Sequence, residues 1–68
     1  MTRIPLAVGQ TWLPTKPGTG WRHLCVVDGE PGYIRYRLKS GNIRAVWAWE
    51  FRDWCHRFDC ILKPEAPP

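Results

Sequence analysis

The chain has 68 residues, of which 44% are hydrophobic and 24% are charged, and its formal net charge is +4. A chain this short forms one domain and buries only about 60% of the surface that it exposes when unfolded. No segment approaches the length of a membrane-spanning helix, and Pro5 interrupts the region where a signal peptide would be apolar. We therefore expect a cytoplasmic protein with no membrane association, whose positive charge favours anionic partners.

The cysteines argue against a secreted, disulfide-rich protein. Cys25, Cys55 and Cys60 are odd in number and contain no C-x-x-C pair, so neither a disulfide framework nor a zinc ribbon is indicated. Five Trp, two Tyr and two Phe supply the large apolar surfaces that a small core needs. We expect reduced thiols and a core built from aromatic side chains.

The first half of the chain alternates between strand patterns and turn-forming residues. We expect residues 1–7 to be a flexible N-terminal arm, followed by strands at 8–13, 21–27 and 33–39. The intervening segments 14–20 and 28–32 are rich in Gly and Pro and predict a loop and a tight turn. The clearest alternation lies in the third strand, where Ile34 and Tyr36 face inward and Arg35 and Arg37 face outward.

The stretch from residue 43 to residue 62 changes period midway. Ile43, Ala45, Trp47 and Trp49 alternate with Arg44 and Ala48, which predicts a strand with one buried face. Apolar residues then recur at helical spacing, which predicts one to three helical turns near residues 49–57. A short fifth strand is expected at 60–62, and the Pro-rich tail 64–68 is expected to be disordered.

Five short strands with a helix before the last predict an all-β fold, a small, bent antiparallel barrel over residues 8–63. The alternative is a three-stranded sheet at 21–47 with a C-terminal helix that continues through residues 59–62. The residues expected in the core of the barrel are Val8, Trp12, Leu24, Val26, Ile34, Tyr36, Leu38, Trp47, Phe51, Trp54 and Ile61.

Six segments taken together resemble a known class of protein: VGQTW, a Gly/Pro-rich loop, LCVVDG, YIRYRL, SGN and WEFRDW. This pattern is similar to the SH3-like barrels of small phage- and prophage-encoded proteins, many of which are domains of unknown function. The resemblance covers about residues 8–62 and implies a five-stranded SH3-like barrel. It implies no particular activity, because such barrels bind nucleic acids, bind proteins or act as inhibitors.

The strongest functional feature is a row of basic and aromatic residues on the outward side of the third strand. Cations at every second residue of a strand lie about 6.6–7 Å apart, close to the spacing of phosphates along a nucleic-acid strand. A tyrosine in the same row offers a stacking surface for a base. The predicted nucleic-acid-binding or partner-binding residues are Tyr33, Arg35, Arg37, Lys39, Arg44 and Arg22.

We therefore expect an accessory module of phage or mobile-element origin that binds DNA or RNA through this face, in the host cytoplasm if it is phage-encoded. The alternative is a protein-interaction module or inhibitor that binds an acidic surface of a host or phage protein through the same residues. A further alternative is that this face binds nothing and that its arginines only protect the sheet edge from aggregation.

Other chemistries are less well supported by the sequence. Trp12, Trp21, Tyr36 and Trp49 with Glu50 are candidates for a methyl-lysine cage, although core packing explains the same aromatics. Cys55, His56 and Cys60, or His23 with Cys25, match no common zinc spacing. No phosphate loop, carboxylate pair or nucleophile motif is present, so we expect no enzyme activity and no cofactor.

Overall fold

The computed structural model describes residues 4–28 and 32–64, which form one antiparallel sheet and one helix. The strands are β1 (Thr11–Leu13), β2 (Arg22–Val27), β3 (Tyr33–Leu38), β4 (Ile43–Trp47) and β5 (Ile61–Leu62), and helix α1 spans Ala48–Arg57 between β4 and β5. No helix within these residues is long and apolar enough to cross a bilayer.

The five strands lie in the order β4-β3-β2-β1-β5, and every neighbouring pair is antiparallel. The predicted mostly-β fold with a short helix before the last strand is confirmed. The sheet is open, with β4 and β5 at its edges. The alternative in which the helix continues through residues 59–62 is wrong, because Ile61 and Leu62 pair with β1.

The core lies between one face of the sheet, the inner face, and helix α1. Leu24, Ile34 and Tyr36 project from β2 and β3 onto Phe51 and Trp54, which are three residues apart on the helix. Phe51 meets Tyr36 at 5.8 Å and Trp54 at 5.3 Å between ring centroids. The predicted core residues that are confirmed as buried are Trp12, Leu24, Ile34, Tyr36, Phe51 and Trp54.

The N-terminal segment contributes to this core. Ile4 and Leu6 are half-buried and pack against the cluster, and the Ile4 carbonyl accepts a hydrogen bond from Arg52 Nε at 2.9 Å. Sequence reasoning expected residues 1–7 to form a flexible arm; the structure packs Ile4 and Leu6 of this segment against the core, and residues 1–3 lie outside the described part. Of the predicted tail, only Pro64 falls within the described residues.

Four of the predicted core residues are wrong: Val8, Val26, Trp47 and Ile61 are 36–64% exposed. Val8 lies in the turn before β1, and Ile61 lies on an edge strand. Val26 follows an irregularity in the β2–β3 register, after which it pairs with outward-facing Arg35. The predicted core residue Leu38 is only partly buried at the margin of the cluster.

The error at Trp47 has a cause in the β3–β4 hairpin. Leu38 N–H donates to the Asn42 carbonyl at 2.8 Å, and Gly41 at φ +93° occupies the left-handed position of the turn. This turn sets Arg44 opposite buried Tyr36 and sets Ile43 and Trp47 opposite outward-facing residues of β3. Turn geometry therefore reverses the faces that hydrophobic alternation predicted for β4.

We expect truncation to separate the two roles of the aromatic residues. Phe51→Ala should lower the free energy of unfolding by about 3–5 kcal/mol, because the ring is fully buried. Trp47→Ala should cost much less, since 46% of Trp47 is exposed. Urea unfolding measures both variants, with Phe51→Leu as a milder substitution that keeps the chain folded. Equal losses for Phe51→Ala and Trp47→Ala would contradict the assignment of faces.

Candidate functional site

The candidate site is the side of the sheet turned away from α1, which we call the outer face. It is defined on β3 by Tyr33, Arg35 and Arg37, and on β4 by their cross-strand partners Trp47, Ala45 and Ile43. Directly paired residues of an antiparallel sheet project to the same side, so these six side chains form one surface. Arg35 and Arg37 are exposed, as are all three residues from β4.

Two aromatic rings meet at one end of the outer face. Tyr33 and Trp47 are directly opposite each other, with ring centroids 6.2 Å apart and planes at 80°. The guanidinium carbon of Arg35 lies 5.9 Å from the Tyr33 ring centroid. This edge-to-face pair holds the two rings in a fixed orientation while leaving much of Trp47 open to solvent.

The charge of the outer face is positive among the described residues. Arg35 and Arg37 stand two positions apart on β3, about 6.6–7 Å along the strand. The ion pairs that the described residues form with one another, Lys16 with Asp59 and Arg57 with Asp53, lie outside this face. Both arginines are therefore placed where an anion in solvent can reach them.

The structure brings together only part of the predicted site. Tyr33, Arg35 and Arg37 share the outer face, and Lys39 is exposed in the turn that follows β3. Arg44 is exposed but lies opposite Tyr36, on the side of the sheet that carries the core. Sequence reasoning missed Trp47 as a site residue because its alternation with Arg44 indicated burial; the SGN turn was the available signal for the other register.

Arg22 projects to the inner face and packs between aromatic rings. Its guanidinium carbon lies 4.5 Å from the Tyr36 ring centroid and 4.2 Å from that of Trp54. Its Nε is buried and has no hydrogen-bond partner among the described residues. Burial lowers the pKa of Arg22, with the neighbouring Tyr36 acting in the opposite direction. Arg22 thus serves as a cation within the protein's own aromatic cluster.

This arrangement bears on the methyl-lysine cage considered from the sequence. Tyr36, Trp49 and Glu50 do border one cleft of about 320 Å³, but the guanidinium of Arg22 lies over the Tyr36 ring there. Trp12 is buried elsewhere and donates a hydrogen bond from Nε1 to Gln10 at 3.1 Å. The four aromatics therefore do not converge around one vacant position.

Two of the cysteines considered as metal ligands, Cys55 and Cys60, have structural positions in the fold. Cys55 is buried on α1, and the Cys60 N–H donates to the Cys55 carbonyl at 2.9 Å. Burial raises the pKa of Cys55 to about 12, and the adjacent Cys60 acts in the same direction. No group of three His, Cys, Asp or Glu residues in the described part of the chain is positioned to hold a metal ion.

Removal of the Arg22 side chain should destabilise the fold. Arg22→Ala loses contacts with two rings, and we expect it to lower the free energy of unfolding by about 1–3 kcal/mol. Arg35→Ala, on the solvent side of the sheet, should change stability by no more than about 0.5 kcal/mol. Chemical unfolding of both variants checks this, and a loss for Arg35→Ala that matches Arg22→Ala would contradict it.

Stability should fall in alkaline solution because of Cys55. Above about pH 9 the unfolded thiol ionises, whereas the folded thiol keeps its proton up to a pKa of about 12. The unfolded state then binds fewer protons, so the free energy of unfolding decreases with pH by up to about 1.4 kcal/mol per unit. Urea unfolding at pH 8 and pH 10.5 should show a steeper decrease for the parent than for Cys55→Ala. Parallel decreases would assign the effect to other groups.

Comparison of the chain with protein-family models, with curated proteins and with solved structures found no match.

Proposed function

We propose that the protein is a small nucleic-acid-binding module that holds a single strand on the outer face of its sheet. The observation that supports this most strongly is the position of Tyr33 and Trp47 beside Arg35 and Arg37. Adjacent aromatic rings and exposed cations on one open surface are the two components of sequence-tolerant single-strand binding.

Each group has a distinct role in this proposal. The exposed part of the Trp47 ring stacks on a base, and Tyr33 holds that ring edge-on and offers a second contact. Arg35 and Arg37 contact successive phosphates, each able to donate two parallel hydrogen bonds. Stacking needs unpaired bases, because the bases of a duplex expose only their edges in the grooves. A single strand is therefore the preferred form.

We also propose that the fold is a variant of the SH3-like barrel. The strand order with β5 beside β1, and a helix between β4 and β5, supports this assignment. The resemblance to phage and prophage barrels further suggests an accessory protein of a phage or mobile element, acting in the host cytoplasm. SH3-like barrels serve several functions, so the binding proposal depends on the outer face and not on the fold.

A protein partner is the second candidate, and the β4 edge favours it. The hydrogen bonds from Leu38 N–H to the Asn42 carbonyl and from Ala48 N–H to the Gly32 carbonyl indicate which residues of β4 bond to β3. The even-numbered residues of β4 direct their backbone N–H and C=O groups toward β3. Ile43, Ala45 and Trp47 therefore direct their backbone groups to the open edge, where another strand can add. Ile43 is 62% exposed, and such an aliphatic side chain suits a protein interface better than a phosphate backbone.

A salt-dependent titration tests the nucleic-acid proposal. Tryptophan fluorescence should be quenched by mixed-sequence single-stranded DNA or RNA, and less by duplex DNA. The two phosphate contacts of Arg35 and Arg37 on a single strand predict an affinity loss of about sevenfold between about 50 and 200 mM salt. Absence of quenching by all three nucleic acids at low salt would overturn the proposal.

Two charge reversals of equal size locate the binding face. Arg35→Glu should weaken single-strand binding by about tenfold, because it replaces a phosphate contact with repulsion. Arg44→Glu changes the net charge equally but lies on the other side of the sheet, and should weaken binding by about twofold at most. Equal effects of the two variants would show that net charge, and not the outer face, controls affinity.

A substitution at the open edge of β4 tests the second candidate, a protein partner. If oligonucleotides fail to bind, Ala45→Pro removes an N–H from the open edge while fitting an edge strand. A protein retained by the parent and by Arg44→Glu, but lost from Ala45→Pro, would support strand addition. Retention of that protein by all three chains would contradict it.

A further inference from the structure

We propose that a cleft on the outer face, away from Trp47, binds one nucleotide unit by its phosphate and its base; this deepens the proposed function and rests on it. The cleft has a volume of about 290 Å³, close to the lower limit of about 300 Å³ for ligand sites. Its lining residues are Thr11, Leu13, Trp21, His23, Arg37 and Lys63.

The sheet register aligns the polar groups of this cleft. Arg37 on β3 is opposite His23 on β2, and His23 is opposite Thr11 on β1. The Lys63 N–H donates to the Thr11 carbonyl at 2.8 Å, which fixes the chain after β5 beside β1. Groups far apart in sequence therefore form one row across β3, β2, β1 and the residue that follows β5, which explains why sequence reasoning did not find this site.

A hydrogen bond within the row orients the histidine. Thr11 Oγ1 and His23 Nδ1 are 2.8 Å apart, so this ring nitrogen is hydrogen-bonded to the threonine hydroxyl. The other nitrogen, Nε2, has no hydrogen bond to a described residue and is the one left for a ligand. A histidine held in this way presents Nε2 in a fixed direction, as a positioned recognition group requires.

The charges at the cleft select an anion. Arg37 and Lys63 bring two cationic side chains to its lining, and no carboxylate is among the lining residues. A guanidinium and an ammonium that line the same cleft can both donate hydrogen bonds to the oxygens of one phosphate. Phosphate oxygens accept from both cations, while Thr11 and His23 are within the same row for a further contact.

The apolar lining indicates that the anion carries a flat organic group. Trp21 is half-buried and stands two residues before His23, on the same side of the chain, and Leu13 lies two residues after Thr11. Phosphate alone gains nothing from an indole ring, whereas a nucleobase stacks on it. Together, these residues favour a nucleoside monophosphate, free or as one unit of a strand, over an inorganic anion.

The cleft is continuous with the surface proposed above. Arg37 belongs to both, because it is two residues from Arg35 on β3 and also borders the cleft. A strand that stacks on Trp47 and follows Arg35 and Arg37 therefore arrives at the cleft. We infer that the cleft binds one nucleotide of that strand and sets its position on the sheet.

Nitrogen-15 NMR of the full chain with three probes tests this inference: a nucleoside 5′-monophosphate, the corresponding nucleoside, and inorganic phosphate. The nucleotide should shift the amide signals of Thr11, His23, Arg37 and Lys63 together with the Trp21 indole signal. The nucleoside and phosphate should each bind at least about tenfold more weakly, since each lacks half of the contacts. Equal affinity for phosphate and nucleotide, or shifts confined to other residues, would overturn the inference.

Two matched lysine substitutions provide the control. Lys63→Gln should reduce nucleotide affinity by about tenfold and leave the backbone hydrogen bond to Thr11 in place. Lys16→Gln removes the same charge from the loop after β1, where Lys16 pairs with Asp59 at 3.8 Å, and should change affinity by less than twofold. Equal losses in both variants would contradict a site at the cleft.

The results separate this inference from the proposed function. Oligonucleotide binding that persists without any nucleotide binding at the cleft overturns the inference and supports the proposed function. Nucleotide binding at the cleft without oligonucleotide binding supports the cleft and overturns the single-strand proposal.

Discussion

The packing of Phe51 and Trp54 on the inner face is the interaction on which the rest of the structure depends. Phe51 contacts both Tyr36 of β3 and Trp54 of α1, so two rings of the helix pack with one ring of the sheet. Only eight hydrophobic residues are buried in the described part of the chain, and each large ring can remove about 150–250 Å² from water. Because α1 covers only one face, the opposite face is left to solvent across β3 and β4.

Arg22 is also part of this aromatic packing. Its guanidinium stacks on Tyr36 and Trp54, so a cation that would otherwise serve at the surface instead extends the aromatic cluster. The cationic groups of the outer face, Arg35 and Arg37, are by contrast free of the core. The sheet thereby separates arginines that stabilise the fold from arginines that are available for a partner, and alternation along each strand produces this separation.

Much of the fold could be predicted from local pattern, and the errors have identifiable causes. The alternation in YIRYRL and the helical spacing of Phe51 and Trp54 are strong sequence signals, because the two faces of each element differ sharply in polarity. The prediction of which β4 residues face the core was wrong, because Gly41 and the turn around it, and not the apolar residues, set the register. Trp47 was therefore predicted in the core. The row from Arg37 to Lys63 depends on pairing across β3, β2, β1 and the residue that follows β5, which no local pattern encodes.

The most direct test of the account is to map a bound single-stranded octanucleotide on the protein by NMR, following backbone amides and all five indole signals. Binding on the outer face should perturb the signals of Tyr33, Arg35 and Arg37 and of the Trp47 indole, and leave the indole of buried Trp54 unchanged. Perturbation centred on α1 and Arg44, with Trp47 unchanged, would contradict the assignment of function to the outer face.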